Sequence, residues 1–276
     1  MLRDGRRGPA FWLLGGFFVL FVLFLYGPLS TIVLLSFQGP DGGLTFPMNG
    51  ASVHWFGNLF EKQAVGDFGG SFLRSLLLGL MVMAATVVVS LLAGLAFRRR
   101  FRGSAVLFYL AVASLIVPSI LISLGIGLGF QIAGIRPAWY SSAFGAQLTW
   151  TLPFGLLIMF AVFNRFNRAY EEAARDLGAS SWQTFRHVVY PIILPSLVGV
   201  GLFGFTLSYD EFARTLMTAG TYNTLPLEIY GMTTNVTTPV LYALGTLTTA
   251  FSFLIILMCL AAILVLRARR ARRAAA

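Results

Sequence analysis

Charge is what this sequence has least of. Asp, Glu, Lys and Arg make up 11% of its 276 residues, against about 25% in an ordinary soluble domain. Lysine occurs once, at Lys62, and is followed by Gln63. A phosphate-cradling Gly-x-x-x-x-Gly-Lys-Ser/Thr loop is therefore excluded, and the chain cannot bind and split ATP by that device. Cysteine also occurs once, at Cys259 inside an apolar run. A single thiol closes no internal disulfide, leaves the redox compartment open and reads as a small apolar filler. The two histidines, His54 and His187, are far apart, so no metal-ligand spacing exists. No catalytic residue and no metal site are expected.

Apolar residues fill the space that charge leaves. Hydrophobic types reach 57% and the mean hydropathy is +0.80, which calls for lipid as solvent. The net charge of +10 does not point to nucleic acid, because the basic residues fall in short clusters between apolar runs rather than on one face. A spanning helix needs about 20 mostly apolar residues, and six stretches meet this: 11–37, 71–97, 104–130, 143–163, 197–217 and 243–266. The expected fold class is an all-α membrane protein of six transmembrane helices, forming a single domain over 1–276. Pro28, Pro118 and Pro153 lie inside these stretches, where neighbouring helices and Ser or Thr side chains can satisfy the freed backbone groups. Gly125, Gly127 and Gly129 in the third stretch would let another helix approach closely. Arg3, Arg6 and Arg7 precede the first stretch, as in a signal peptide. That stretch is too long for an h-region and no small-residue cleavage site follows, so it reads as a retained helix.

Charge sorts the loops. The N-terminal tail, Arg98 to Arg102, Arg165 to Arg186 and the tail after Arg267 together hold 16 of the 20 basic residues, and the alternate loops hold Lys62, Arg74, Arg136 and Arg214. The positive-inside rule then puts both termini and the 164–196 loop in the cytoplasm. The other side carries 6 of the 10 acids. Its segment 38–70 holds Trp55, Phe56 and Phe60 and reads as an external loop with an interfacial aromatic anchor. The basic tail, Arg267 to Arg273, reads as a topology anchor beside anionic lipid.

The loop Asn164 to Pro195 is written as two short helices rather than as a linker. Asn167 can cap the first, whose start holds Glu171, Glu172, Ala173 and Ala174. Gly178 can end it in a left-handed conformation. Ser180 and Gln183 have capping-box spacing for a second helix. Trp182, Phe185 and Val189 then fall on one face, and Pro191 and Pro195 set the entry into the fifth span. Helices with an exposed apolar edge imply a docking surface; the alternative is that these aromatics lie on the protein's own helices or the lipid interface.

The order Glu172, Ala173, Ala174, three residues, Gly178, nine residues, Val188, one residue, Tyr190 and Pro191 resembles the EAA loop of ABC importer permeases. Val188 and Tyr190 stand where Ile and Leu are usual. The resemblance extends along the whole chain. It implies the type I ABC importer permease fold and a multi-pass subunit of a bacterial inner membrane. It also implies a docking loop that inserts into a cytoplasmic ATPase dimer, where the ATP is bound; the chain itself would hold no cofactor. Glu172, Ala173, Ala174 and Gly178 would be coupling residues, with Trp182 and Phe185 as further contacts. A paralogous permease and a periplasmic solute-binding protein would complete the assembly.

The cargo is written elsewhere. Asp210 and Glu211 lie towards the end of the fifth span, at or near the membrane boundary, between Tyr209 and Phe212. Ionisable residues at membrane depth suggest a transport path, and carboxylates with aromatics suit a cationic amine. The other reading is a solvated helix end with Arg214 as partner. Leu207 to Phe212 and Thr224 to Met232 resemble the second permease subunit of spermidine/putrescine importers, with Glu211 where Asp is more common. The same subfamily includes importers of opines and other small organic solutes such as amino-acid derivatives. A secondary transporter would also give six helices, but its inverted repeats are not found.

Overall fold

The computed structural model describes residues 8–60, 66–99, 101–235 and 239–275. Arg3, Arg6, Arg7, Glu61, Lys62 and Arg100 lie outside them, as do the side chains of Cys259 and of Arg267 to Arg273. The described residues form two compact units, 1–66 with 232–258 and 67–231 with 259–276. They are helical apart from turns, loops and one isolated bridge between Gln38 and Ala51.

In the first unit, helix α1 (Pro9–Leu35) is apolar on every side and only Leu35 is buried. An all-round apolar helix with so little protein against it has lipid as its partner. Pro28 sits inside it, and the hydroxyls of Ser30 and Thr31 donate to the Gly27 carbonyl at 2.8 and 3.1 Å. The loop that follows is organised by Gln38, whose buried amide donates to Gly43 O and accepts from Asn49 N–H. Helix α2 (His54–Asn58) turns Trp55 inward, so Trp55 is a core residue rather than an interfacial anchor; Phe60 remains exposed.

The second unit is built on three helices packed against one another. The first is α3 (Phe68–Phe97), which Asp67 caps by accepting from Gly70 N–H. The chain continues through α4 (Ser104–Ala113) and α5 (Ser119–Ile132). A π-helical turn (Trp139–Ala143) then leads into α6 (Phe144–Asn164). After α7 (Ala169–Asp176) and α8 (Ser181–Thr184), a second π turn (Phe185–Val189) runs into α9 (Tyr190–Tyr209). Helices α10 (Leu225–Asn235) and α11 (Val240–Ala275) complete the order, with residues 232–258 belonging to the first unit. Met159, Val189, Ile193, Leu197 and Val200 form one core between α6 and α9, with Val87 and Leu91 of α3 against it. Polar residues specify the packing: Thr86 donates to Thr151 at 3.0 Å, and Gln147 of α6 and Ser208 of α9 bond to each other. Bonds of this kind between buried side chains fix register in an apolar bundle.

Among the described residues, five helices are long and apolar enough to cross a membrane. The third stretch, expected as one helix over 104–130, is two. Residues Ser114 to Pro118 break it, and Pro118 starts α5. At about 1.5 Å per residue, α4 and α5 reach only about 15 and 21 Å, short of a hydrocarbon core of about 30 Å. The close approach expected at three glycines occurs at one. A side chain at Gly127 would lie 2.6 Å from Met217 O, while Gly125 and Gly129 face open space. The neighbour is a loop, not a helix. The fifth span ends at Tyr209 rather than 217, for reasons that belong to the site.

Candidate functional site: an exposed helical loop and a buried polar segment

Residues 164–196 fold much as their capping signals imply. The Asn167 amide oxygen accepts from Ala169 N–H at 3.0 Å, at the start of α7. Gly178, at φ +81, ends it: Gly178 N–H reaches Arg175 O and Ala179 N–H reaches Ala174 O, the two bonds of a Schellman cap. Ser180 and Gln183 form a complete capping box. Glu171 and Glu172 lie in the first turn of α7 and Arg175 in the last, both favourable to the helix dipole. One feature departs from expectation. The second short helix does not stop before Pro191; Ser181–Tyr209 is a continuous run of 29 residues through the π turn.

No residue of α7 is buried. Glu172, Ala173, Gly178 and Trp182 are exposed, and Ala174 and Phe185 are half-buried. The apolar stripe divides: Val189 belongs to the core, Phe185 packs at its edge, and Trp182 stacks on Phe185 at 5.7 Å while remaining 65% exposed. Leu177, which sequence reasoning passed over, is 89% exposed. Its signal was present: a large apolar residue set directly before a left-handed glycine.

A second residue that sequence reasoning missed for this region is Arg98, the C-cap of α3. Its two terminal nitrogens donate to the two carboxylate oxygens of Glu171, each at 2.7 Å. This fork-to-fork pairing is the strongest geometry open to the two groups. The Arg98 hydrogen bonds hold the Glu171 carboxyl below the usual glutamate range, helped by the charges of Arg98, Arg175 and Arg168 and opposed by burial. Beside the pair lies a cavity of ≈ 410 Å³ lined by Arg99, Arg168, Glu172 and Arg175. No periodicity links residues 73 positions apart, so only the fold brings them together.

The segment Asp210 to Thr224 is a folded loop of turns. Its side chains compete with the helix for backbone groups, which ends α9. Glu211 Oε1 accepts from Arg214 N–H at 2.8 Å, and Thr215 Oγ1 donates to Glu211 O at 2.8 Å. The alternative partner for the acidic pair, Arg214, is thus engaged, but only by Glu211 and not in solvent. Arg214 is 2% exposed and Glu211 8%. The Arg214 guanidinium donates to Ser119 and Thr149, stands 3.7 Å from Glu211 Oε2, and lies 4.7 Å from the Trp150 ring centroid. Ser123 donates to Arg214 O and accepts from Met217 N–H. Ser119, Ser123 and Gly127 therefore make one small, polar stripe on α5 that receives the loop.

The three residues expected on the substrate path thus part company. Glu211 is locked. Tyr209 is buried, stacked on Phe205 at 5.8 Å and edge-on to Phe72. Asp210 is exposed at the C-cap of α9. Phe212 lies 5.0 Å from the ring of Tyr230. Among the described residues, no group of three or more His, Cys, Asp or Glu gathers as a metal site.

The architecture is shared with solved transporters. A bacterial ABC transporter involved in the import of the acidic polysaccharide alginate matches with a TM-score of 0.69 and 14% identity, over 94% of this chain and 98% of that one. The MetNI methionine ABC transporter matches with a TM-score of 0.57 and 17% identity, over 72% of this chain and 95% of that one. At these identities the likeness is one of fold. In sequence, the chain is similar to the spermidine/putrescine transport system permease protein PotC of Haemophilus influenzae, 28% identical over 90% of this chain and 95% of that protein. It is also similar to the putrescine transport system permease protein PotI of Escherichia coli K12, 27% identical over 81% of each. Apolar helices, a folded loop with exposed apolar residues and these likenesses converge with a family match over residues 86–273: the chain belongs to the binding-protein-dependent transport system inner membrane components.

Proposed function

We propose that this chain is one of two permease subunits of an ABC importer for polyamines, with a paralogous permease as the other. A cytoplasmic ATPase dimer drives it and a periplasmic solute-binding protein delivers the cargo. In this reading α4 and α5 together make the third of six spans. The 16 basic residues on one side hold both termini and residues 164–196 in the cytoplasm. Glu172, Ala173, Ala174, Gly178, Trp182 and Phe185, joined by Leu177, form the coupling surface.

The observation that carries the cargo assignment is the separation of the two carboxylates. Glu211 is occupied by Arg214, whereas Asp210 is exposed beside it. An exposed carboxylate at the end of a membrane helix suits an ammonium group of a linear polyamine, and the polyamine permeases among its relatives support that choice. Uptake of labelled putrescine by the complete assembly tests it. Asp210→Asn is expected to lower uptake at least about tenfold, the scale of one charge-assisted bond, while assembly is retained. Unchanged uptake in Asp210→Asn removes Asp210 from the path, and a complete assembly that takes up other organic solutes but no polyamine removes the cargo assignment.

A further inference from the structure

We propose that α3 is the rod that carries movement of the docking loop to the 210–224 segment, and that Arg98 and Arg74 are the positioning residues at its two ends. The proposal rests on the reading that residues 164–196 dock an ATPase.

Force applied to α7 has few ways into the bundle. The helix has eight residues, none buried. Its chain connections are the turn Arg165 to Arg168 and the turn around Gly178, which a change of backbone dihedrals can absorb. It also packs on α8 and on the π turn Phe185–Val189; its charged attachment is the Arg98–Glu171 fork, with side chains only 16% and 14% exposed. Arg168 adds a bond to Arg98 O at 3.2 Å. Arg98 is itself braced, with its guanidinium 5.0 Å from the Phe163 ring and 5.3 Å from the Phe166 ring. A displacement of α7 therefore acts directly on the end of α3.

At the other end, α3 holds the far side of the polar segment. Arg74 Nε donates to Asn223 O at 2.7 Å, and Leu225 N–H donates to Ser75 Oγ at 2.8 Å. Asp67 orients Arg74 at 3.3 Å, and Arg74 also stands 5.6 Å from the Tyr222 ring. The two grips lie on one unbroken helix of 30 residues, about 36 Å apart from Arg74 to Arg98 at 1.5 Å per residue. Helices α6 and α9, against which it packs, contain Pro153 and Pro195. The sequence of α3 contains no proline. A helix without an internal break transmits axial and rotational movement that a proline kink would dissipate.

The test uses the complete assembly in proteoliposomes, with ATP hydrolysis and gate movement read separately. Gate movement is the change in thiol labelling of Met217→Cys, in a Cys259→Ser background, when the ATPase is trapped with ATP and vanadate. In the Arg98→Gln variant, ATPase subunits are expected to co-purify and hydrolyse ATP, while the labelling change shrinks about tenfold, inside the ~5–150-fold range of ordinary site-to-site coupling. The exchange Arg98→Glu with Glu171→Arg is expected to restore it, and Arg74→Gln to reproduce the loss from the other end. A full labelling change in Arg98→Gln overturns the proposal. Loss of ATPase co-purification in that variant also overturns it, because the pair would then belong to the docking surface. The docking reading fails in a different way, by a Leu177→Glu chain that still co-purifies with the ATPase.

Discussion

Two irregular segments of this bundle solve opposite problems. Residues 164–184 put apolar side chains outside, with Leu177 at 89% and Trp182 at 65% exposure, on two short helices of which the first, α7, buries nothing of its own. Residues 210–224 put polar side chains inside: Glu211, Arg214, Thr215, Thr218 and Thr224 are all buried. The first arrangement is unfavourable until something covers it. The second is complete as it stands, since each polar group meets a partner on α5, α6 or the loop itself. One segment leaves apolar surface uncovered, and the other satisfies its polar groups within the bundle and leaves Asp210 exposed at its edge.

The comparison is broken most forcefully at Arg214. Arg214→Met leaves Glu211 buried without its guanidinium, which costs about 3–5 kcal/mol and should lower the thermal midpoint of the purified assembly sharply. Adding Glu211→Gln should recover most of the loss, because removing both charges of a buried pair is often close to neutral. A second change acts on association instead. Leu177→Glu or Trp182→Ala should leave the chain's own stability unaltered, while weakening ATPase binding by about 2 kcal/mol each, the scale of an interface hot spot. Titrating ATPase binding checks this.

Smaller effects sharpen the same contrast. Ser180→Ala removes half of the capping box and should cost about 1 kcal/mol locally, read as faster hydrogen exchange at the Gln183 amide. Acid should do least. The Glu171 carboxyl is held below its ordinary value by Arg98, so its folded pKa is depressed relative to the unfolded chain. Its contribution is then fully present above about pH 4.3 and disappears as pH falls through the lower folded value. ATPase coupling should therefore be unaffected by Glu171 protonation between about pH 5 and 8, which ATPase-stimulated labelling across that range would check.

How much of this was legible in the sequence follows from the range of each interaction. Apolar runs placed most long helices within a few residues, because lipid imposes their length. The capping box at Ser180 and the left-handed Gly178 were readable because both act within a few residues of themselves. The break at Pro118 was not, since proline is tolerated in membrane helices and nothing local distinguishes a kink from an end. The early stop of α9 was hidden because Phe212, Leu216 and Met217 continue the apolar run, while the groups that end the helix are the side chains of Glu211 and Thr215. The partition of Asp210 from Glu211 depends on Ser119, Thr149 and Trp150, and the Arg98–Glu171 fork joins distant positions. Neither leaves a periodic trace.

The most direct test of the account is putrescine uptake into proteoliposomes holding this chain, its paralogous permease and the binding protein, measured with and without the ATPase subunits. Uptake that requires both the ATPase and ATP, and that is lost in Leu177→Glu together with ATPase binding, is the predicted result. Uptake that persists at the same rate without the ATPase contradicts it.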